Sequence, residues 1–157
     1  MYYRQARNRI RTGDLLFWSG NDLVSTAIKL ATRSEYTHVG MAWVTSGRVF
    51  VLEAYPPSVR IMPLGTKAPF YWVSMFGLSD DAVSFAMKHV GDPYSKLDAI
   101  KAYFKMRLPR GSWECAEYVA KIYAHDGLPM TLDKYTPADV MNWCKSLVRK
   151  VEFVDHD

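Results

Sequence analysis

Several things are scarce in this chain, and each scarcity excludes something. Two cysteines, Cys115 and Cys144, allow one disulfide at most, so a dense framework of the small secreted kind is ruled out and a reducing compartment fits. There is no CxxC or HxxxH pair and only four histidines, so a structural zinc site is not expected; the reading includes no metal and no cofactor. No apolar run approaches the ~20 residues that a membrane span requires, so no integral membrane segment is expected. The opening MYYRQARNRIRTGD leads into no apolar stretch of secretory type, which makes a cytoplasmic location the expectation, with export by another route left open. Linkers, low-complexity tracts and repeats are also missing, so residues 1–157 read as a single domain.

What is present is globular usage, 49% hydrophobic and 23% charged, with a net charge of +4. The charge is too modest to name a partner. Arg4, Arg7, Arg9 and Arg11 read as a solvated basic terminus in preference to a nucleic-acid arm, because no zinc-finger, helix-turn-helix or RNA-binding signature accompanies them.

The first half carries period-two segments and the second half helical ones, which predicts an α+β fold with helices against an antiparallel sheet. GDLLFW (13–18), THVGMAWV (37–44), RVFVLEAY (48–55), VRIMPL and FYWVSMF read as strands. A helix is expected from about Asp22, with Val24, Ala27, Ile28 and Ala31 on one face. Others are expected from Ser79 towards Gly91, over about 94–107, over 112–127 with Ser112 as N-cap, and from Thr136, where Pro137 and Asp139 fit a first turn and capping box.

Chemistry concentrates on the hairpin. With Ser46 and Gly47 as its two loop residues, Gly40 lies opposite Glu53 and His38 opposite Tyr55. Side chains alternate along a strand, so His38, Gly40, Glu53 and Tyr55 share a face, and His38 and Glu53 become diagonal neighbours. A carboxylate on one imidazole nitrogen leaves the other free to take a proton. The competing reading is that the pair merely satisfies itself. Cys115 shifts the balance: with Ser112 as N-cap it falls in the first turn of a helix, where free amides and the dipole favour thiolate and a lowered pKa is expected. Cys144 shares an apolar face with Val140, Trp143 and Leu147 and reads as core. His89 and His125 lie near helix C-termini and His156 in the tail, so none is a candidate base.

An ordered set of segments then resembles a known family. GDLLF (13–17), TAIKLATRSEYTHVGMAW (26–43), VLEA (51–54), GDPYSKLDA (91–99), WECAEYV (113–119) and TPADV (136–140) are similar to the permuted papain-fold cysteine hydrolases of the NlpC superfamily, relatives of lecithin retinol acyltransferase. The histidine precedes the cysteine, as in the permuted branch. The resemblance implies a circularly permuted papain-like fold, with Cys115 as nucleophile, His38 as base and Glu53 as third polar residue. It also implies cleavage of an amide bond through an acyl-enzyme. Where the family commonly has serine after the cysteine, this chain has Ala116. Tyr94, matching a tyrosine often found after the family's glycine, and Trp113, inside WECAEYV, are the candidate substrate-binding residues.

The substrate expected is a small peptide, a cell-wall fragment or an acyl lipid, with no nucleic acid. Alternatives are a lipid-directed acyltransferase, phospholipase or thioesterase using the same triad, and a non-catalytic binding module.

Overall fold

The computed structural model of the protein describes residues 1–21, 23–94, 113–147 and 149–157. Six strands form one sheet in the order β4-β3-β2-β1-β5-β6, every neighbouring pair antiparallel. They are β1 (Leu15–Trp18), β2 (His38–Thr45), β3 (Arg48–Tyr55), β4 (Ser58–Pro63), β5 (Phe70–Val73) and β6 (Val151–Val154). Among the described residues five helices accompany them: α1 (Tyr3–Ala6), α2 (Leu23–Thr32), α3 (Asp80–Lys88), α4 (Cys115–His125) and α5 (Pro137–Ser146), with a 3-10 turn at Leu64–Lys67. The expected α+β architecture is present. Among the described residues no helix is long and apolar enough to cross a membrane.

Strand alternation sends each sheet face to a different core. On one face Leu15, Phe17, Val39 and Val73 meet Ala116, Val119 and Tyr123 of α4 and Val140, Met141 and Cys144 of α5. Further along that face Met41, Leu52, Ala54 and Val59 meet Ala82 and Ala86 of α3 and Tyr118 and Ile122 of α4. On the opposite face Leu16, Ala42, Val51 and Trp72 pack with Ala6, Ile10, Leu64 and Val154.

The ends of these elements have identifiable causes. Ser46 and Gly47 both have positive φ, 49° and 71°, the conformation a two-residue hairpin turn needs. Thr45 therefore pairs with Arg48 and Met41 with Leu52, the register expected from the sequence. Ser79 caps α3 by accepting from the Ala82 N–H, and Thr136 with Asp139 closes a capping box on α5.

Four differences from the sequence reading have physical reasons. The N-cap of α4 is Glu114, so Cys115 is its first residue, and Ser112, proposed as the cap, lies outside the described residues, as does the helix expected over 94–107. Helix α1 and strand β6 were not anticipated: at four residues each they are too short for a period to show. They tie the termini down together, because the Tyr3 N–H donates to the Asp155 carbonyl and the Asp155 N–H to the Met1 carbonyl. The arginine-rich start is accordingly folded, with Arg9 paired to Glu152 at 3.0 Å and lying 4.9 Å over the Trp72 ring.

Candidate active site

His38 opens β2, Glu53 sits near the end of β3, and the antiparallel pairing brings these positions to the same end of the sheet. Both side chains point to the face away from α4, the face that Ala42 and Val51 share. There His38 Nε2 and Glu53 Oε2 lie 2.6 Å apart, so the diagonal contact expected from the hairpin register is made. Gly40 permits the approach. A Cβ on it would stand 2.6 Å from Val51 Cγ2 and 3.3 Å from Glu53 Cβ.

Glu53 is fully buried, and sequence reasoning missed what satisfies it. Arg60 donates to Oε1 from Nε at 2.9 Å and lies 2.8 Å away through Nη2. Lys67 Nζ lies 2.7 Å from Oε1 and 2.6 Å from Oε2. Burial pushes the carboxyl up, but the hydrogen bond from His38 together with the charge and hydrogen bonds of Lys67 outweigh it and hold Glu53 down at about 2. Arg60 was within reach of sequence reasoning, since it is the direct cross-strand partner of Glu53 in the β3/β4 pair. Lys67 was not, because it comes from the irregular 3-10 turn. The indole N–H of Trp18 holds that turn by donating to the Lys67 carbonyl at 2.7 Å.

Aromatic rings wall the site. His38 lies 5.4 Å from the Trp18 ring and 5.3 Å, edge-on, from that of Tyr55. Lys67 Nζ stands 4.7 Å from the Trp18 ring, and the Arg60 guanidinium 4.1 Å from that of Tyr55. For His38, loss of hydration lowers the pKa; Glu53 opposes this, while Lys67 and Arg60 reinforce it, and the net direction is down. The imidazole is therefore neutral at rest, with Glu53 on Nε2 and Nδ1 left as the nitrogen for a second partner.

Cys115 arrives from the other side. Helix α4 packs on the opposite face, and its head reaches β2 next to His38, where the backbone of Val39 and that of Ala116 hydrogen-bond to the thiol and draw its pKa down. Charge effects also link these elements. The Glu53 charge acts on Cys115, and Cys115, Glu114 and Tyr55 all act on Tyr94.

The structure corrects the expectation of a thiolate. Cys115 is only 8% exposed, and burial pushes its thiol up to about 12 against the pull of the two backbone groups. The helix terminus is present as expected, but desolvation is the larger effect. Cys144 is buried without exposure in the core cluster, as expected, and burial pushes it up to about 12 as well.

The two candidate substrate contacts separate. Tyr94 is half-buried, and its phenol pKa is raised first by burial and then by the Cys115 charge. The Trp113 indole N–H donates to Asp92 at 3.0 Å, and its ring meets those of His89 and Tyr118.

Comparison with known proteins adds a distant relative. No family model matches the chain. Over 124 residues it is 27% identical to the Uncharacterized protein YiiX of Escherichia coli (strain K12), covering 72% of this chain and 57% of that protein. The chain thus spans just over half the length of the curated relative it matches. Among solved structures it is similar to the metalloprotein YiiX from Escherichia coli O157:H7, with a TM-score of 0.62 and 27% identity, over 76% of this chain and 68% of the other.

Proposed function

We propose that the protein is a cysteine hydrolase of permuted papain-like fold that cleaves an amide bond of a small peptide or cell-wall fragment, with Cys115 as nucleophile, His38 as base and Glu53 as orienting residue. The observation that carries this reading is a fully buried carboxylate fixed on one nitrogen of a histidine whose strand also receives a cysteine at a helix head. A buried carboxylate and imidazole held at 2.6 Å fix the tautomer and ring orientation, which a general base requires.

The resting pair is neutral, thiol and imidazole. As Sγ bonds to the scissile carbonyl carbon, its proton passes to His38 Nδ1, and the backbone groups of Val39 and Ala116 favour the negative charge that grows on sulfur and substrate oxygen. The carbon–nitrogen bond then breaks as imidazolium returns the proton to the departing amine. Water, deprotonated by the same histidine, attacks the thioester and frees the acid and Cys115. An ester or lipid acyl group passes through the same steps with an alcohol as leaving group.

The similar YiiX structure is that of a metalloprotein, and a metal here would have to be held by the side chains of this site. They do not fit. Among the described residues no three His, Cys, Asp or Glu side chains form a group that could hold an ion. Both Glu53 oxygens already accept from cations, and Arg60 and Lys67 would repel another.

The test is mass spectrometry of Cys115 after incubation with peptide amides, including γ-glutamyl ones, and in parallel with acyl esters. One class should leave an acyl group on Cys115 that is missing in Cys115→Ala. Turnover of esters alone would move the assignment to lipid or thioester substrates. No adduct and no turnover with either class would leave a binding module and refute the hydrolase.

A further inference from the structure

One carboxylate held by two cations is more than orientation of a histidine requires. Glu53 needs one partner to fix its rotamer, yet five contacts converge on its two oxygens: one from His38, two from Arg60 and two from Lys67. The cations come from separate elements, Arg60 from β4 and Lys67 from the 3-10 turn, and each is also seated on a ring, Tyr55 and Trp18 respectively. Lys67 is the more enclosed, its side chain 15% exposed against 30% for Arg60. A lysine ammonium buried to that degree carries a desolvation cost that a surface position would avoid. Its pKa is lowered by burial, with Glu53 opposing, so the site holds it against that penalty.

We propose that Arg60 and Lys67 are positioning residues of this site: their clamp locks the Glu53 carboxylate against His38 Nε2 and offsets its charge, keeping the imidazole neutral and Nδ1 ready to accept a proton. The catalytic consequence rests on the hydrolase reading, but the effect on the imidazole does not. Among the described residues, Glu53 on β3, Arg60 on β4 and Lys67 on the 3-10 turn act on His38, the Tyr55 ring of β3 lies edge-on beside it, and Cys115 at the head of α4 meets the backbone of the next residue, Val39, with Glu114 and Tyr94 beyond the thiol. Of these, Glu53 favours imidazolium, and Arg60 and Lys67 oppose it.

The sign of the effect follows from the charges. With one cation removed, Glu53 presents more net charge to the ring and a repulsion is lost; both changes favour protonated His38. Its titration moves up, and the acidic limb of any reaction that needs the neutral base moves to higher pH with it. A purely structural role for the cations would loosen the fold without moving that titration.

The experiment is an NMR titration of the His38 imidazole nitrogens in the wild type, Lys67→Met, Arg60→Gln and Lys67→Arg. The wild type should titrate below the ordinary 6.5. Lys67→Met and Arg60→Gln should each move upward by about one pH unit, and Lys67→Arg, which keeps the charge, should stay near the wild type. An unmoved titration in both charge-removing variants overturns the proposal. Should Lys67→Met fail to fold, Arg60→Gln decides the matter alone, since its more exposed side chain is the gentler loss. Absence of an acyl adduct on wild-type Cys115 would sink the hydrolase reading and leave this result standing, so the two failures are distinguishable.

Discussion

Among the described residues two histidine–carboxylate pairs have nearly equal length, and they differ in burial and in the charges around them. His38 and Glu53 lie 2.6 Å apart with the carboxylate fully buried and two cations on it; His89 and Asp92 lie 2.7 Å apart with the carboxylate side chain 40% exposed. Hydrogen bonds from His89 and Trp113 hold the Asp92 carboxyl below its usual range, yet the pair caps a helix end and braces a ring cluster of Phe85, Trp113 and His125. A short contact between imidazole and carboxylate is therefore no sign of function by itself. Burial, added charge and the head of α4 meeting the same strand, β2, separate the first pair from the second.

The comparison breaks most visibly at the nucleophile. Cys115→Ala should lower turnover of the trapped substrate by more than about a thousandfold, whereas Cys144→Ala, in the α5 core, should leave turnover near the wild type once folded protein is compared. Equal losses in the two variants would mean that both thiols are structural. Next come the carboxylates. Glu53→Gln leaves Arg60 and Lys67 against a neutral amide and should destabilise the fold by about 3 kcal/mol or more, read as a lowered denaturant midpoint. Asp92→Asn, at a solvent-facing site, should shift the midpoint far less. If the two shifts match, the buried clamp has been overvalued.

A smaller effect is expected at Gly40. Alanine there meets Val51 and the Leu52 carbonyl across the hairpin, at 2.6 and 3.2 Å, so the strands must part; the expected loss is about 2 kcal/mol, together with a displaced Glu53. Alanine tolerated at no loss would show that the close approach is unimportant. The gentlest test is acidity. His38 has its folded pKa below 6.5, so the unfolded chain binds the proton first and stability should begin to fall as pH drops below 6.5. Glu53, held at about 2, adds a second decline below 4.5. Unfolding midpoints against pH should show the first decline in the wild type and lose it in His38→Gln; a flat wild-type profile down to pH 5 would contradict the direction assigned to His38.

The same contrast explains what could be read from the chain. The hairpin register follows from four residues, Thr45 to Arg48, because positive φ at Ser46 and Gly47 leaves one pairing, and that pairing alone puts His38 beside Glu53. Local rules sufficed there. Lys67 reaches the site from a 3-10 turn that no period announces, and Arg60 required the register of a second hairpin. The thiol pKa was misjudged because the helix terminus is a local property that sequence displays, whereas burial of Cys115 is set by α4, β2 and their neighbours together. The Trp113–Asp92 hydrogen bond joins residues 21 apart in sequence, a pairing that no local rule displays.

The central claim is that the Cys115 thiol and the His38 imidazole act as one unit, and alkylation tests it most directly. The rate of iodoacetamide labelling should be followed at Cys115 and, as an internal control, at Cys144, in the wild type and in His38→Ala across neutral and mildly alkaline pH. The account predicts that Cys115 reacts faster than Cys144, with an advantage that disappears when His38 is removed. Equal rates at the two cysteines in the wild type, or a Cys115 rate that His38→Ala leaves unchanged, would contradict it.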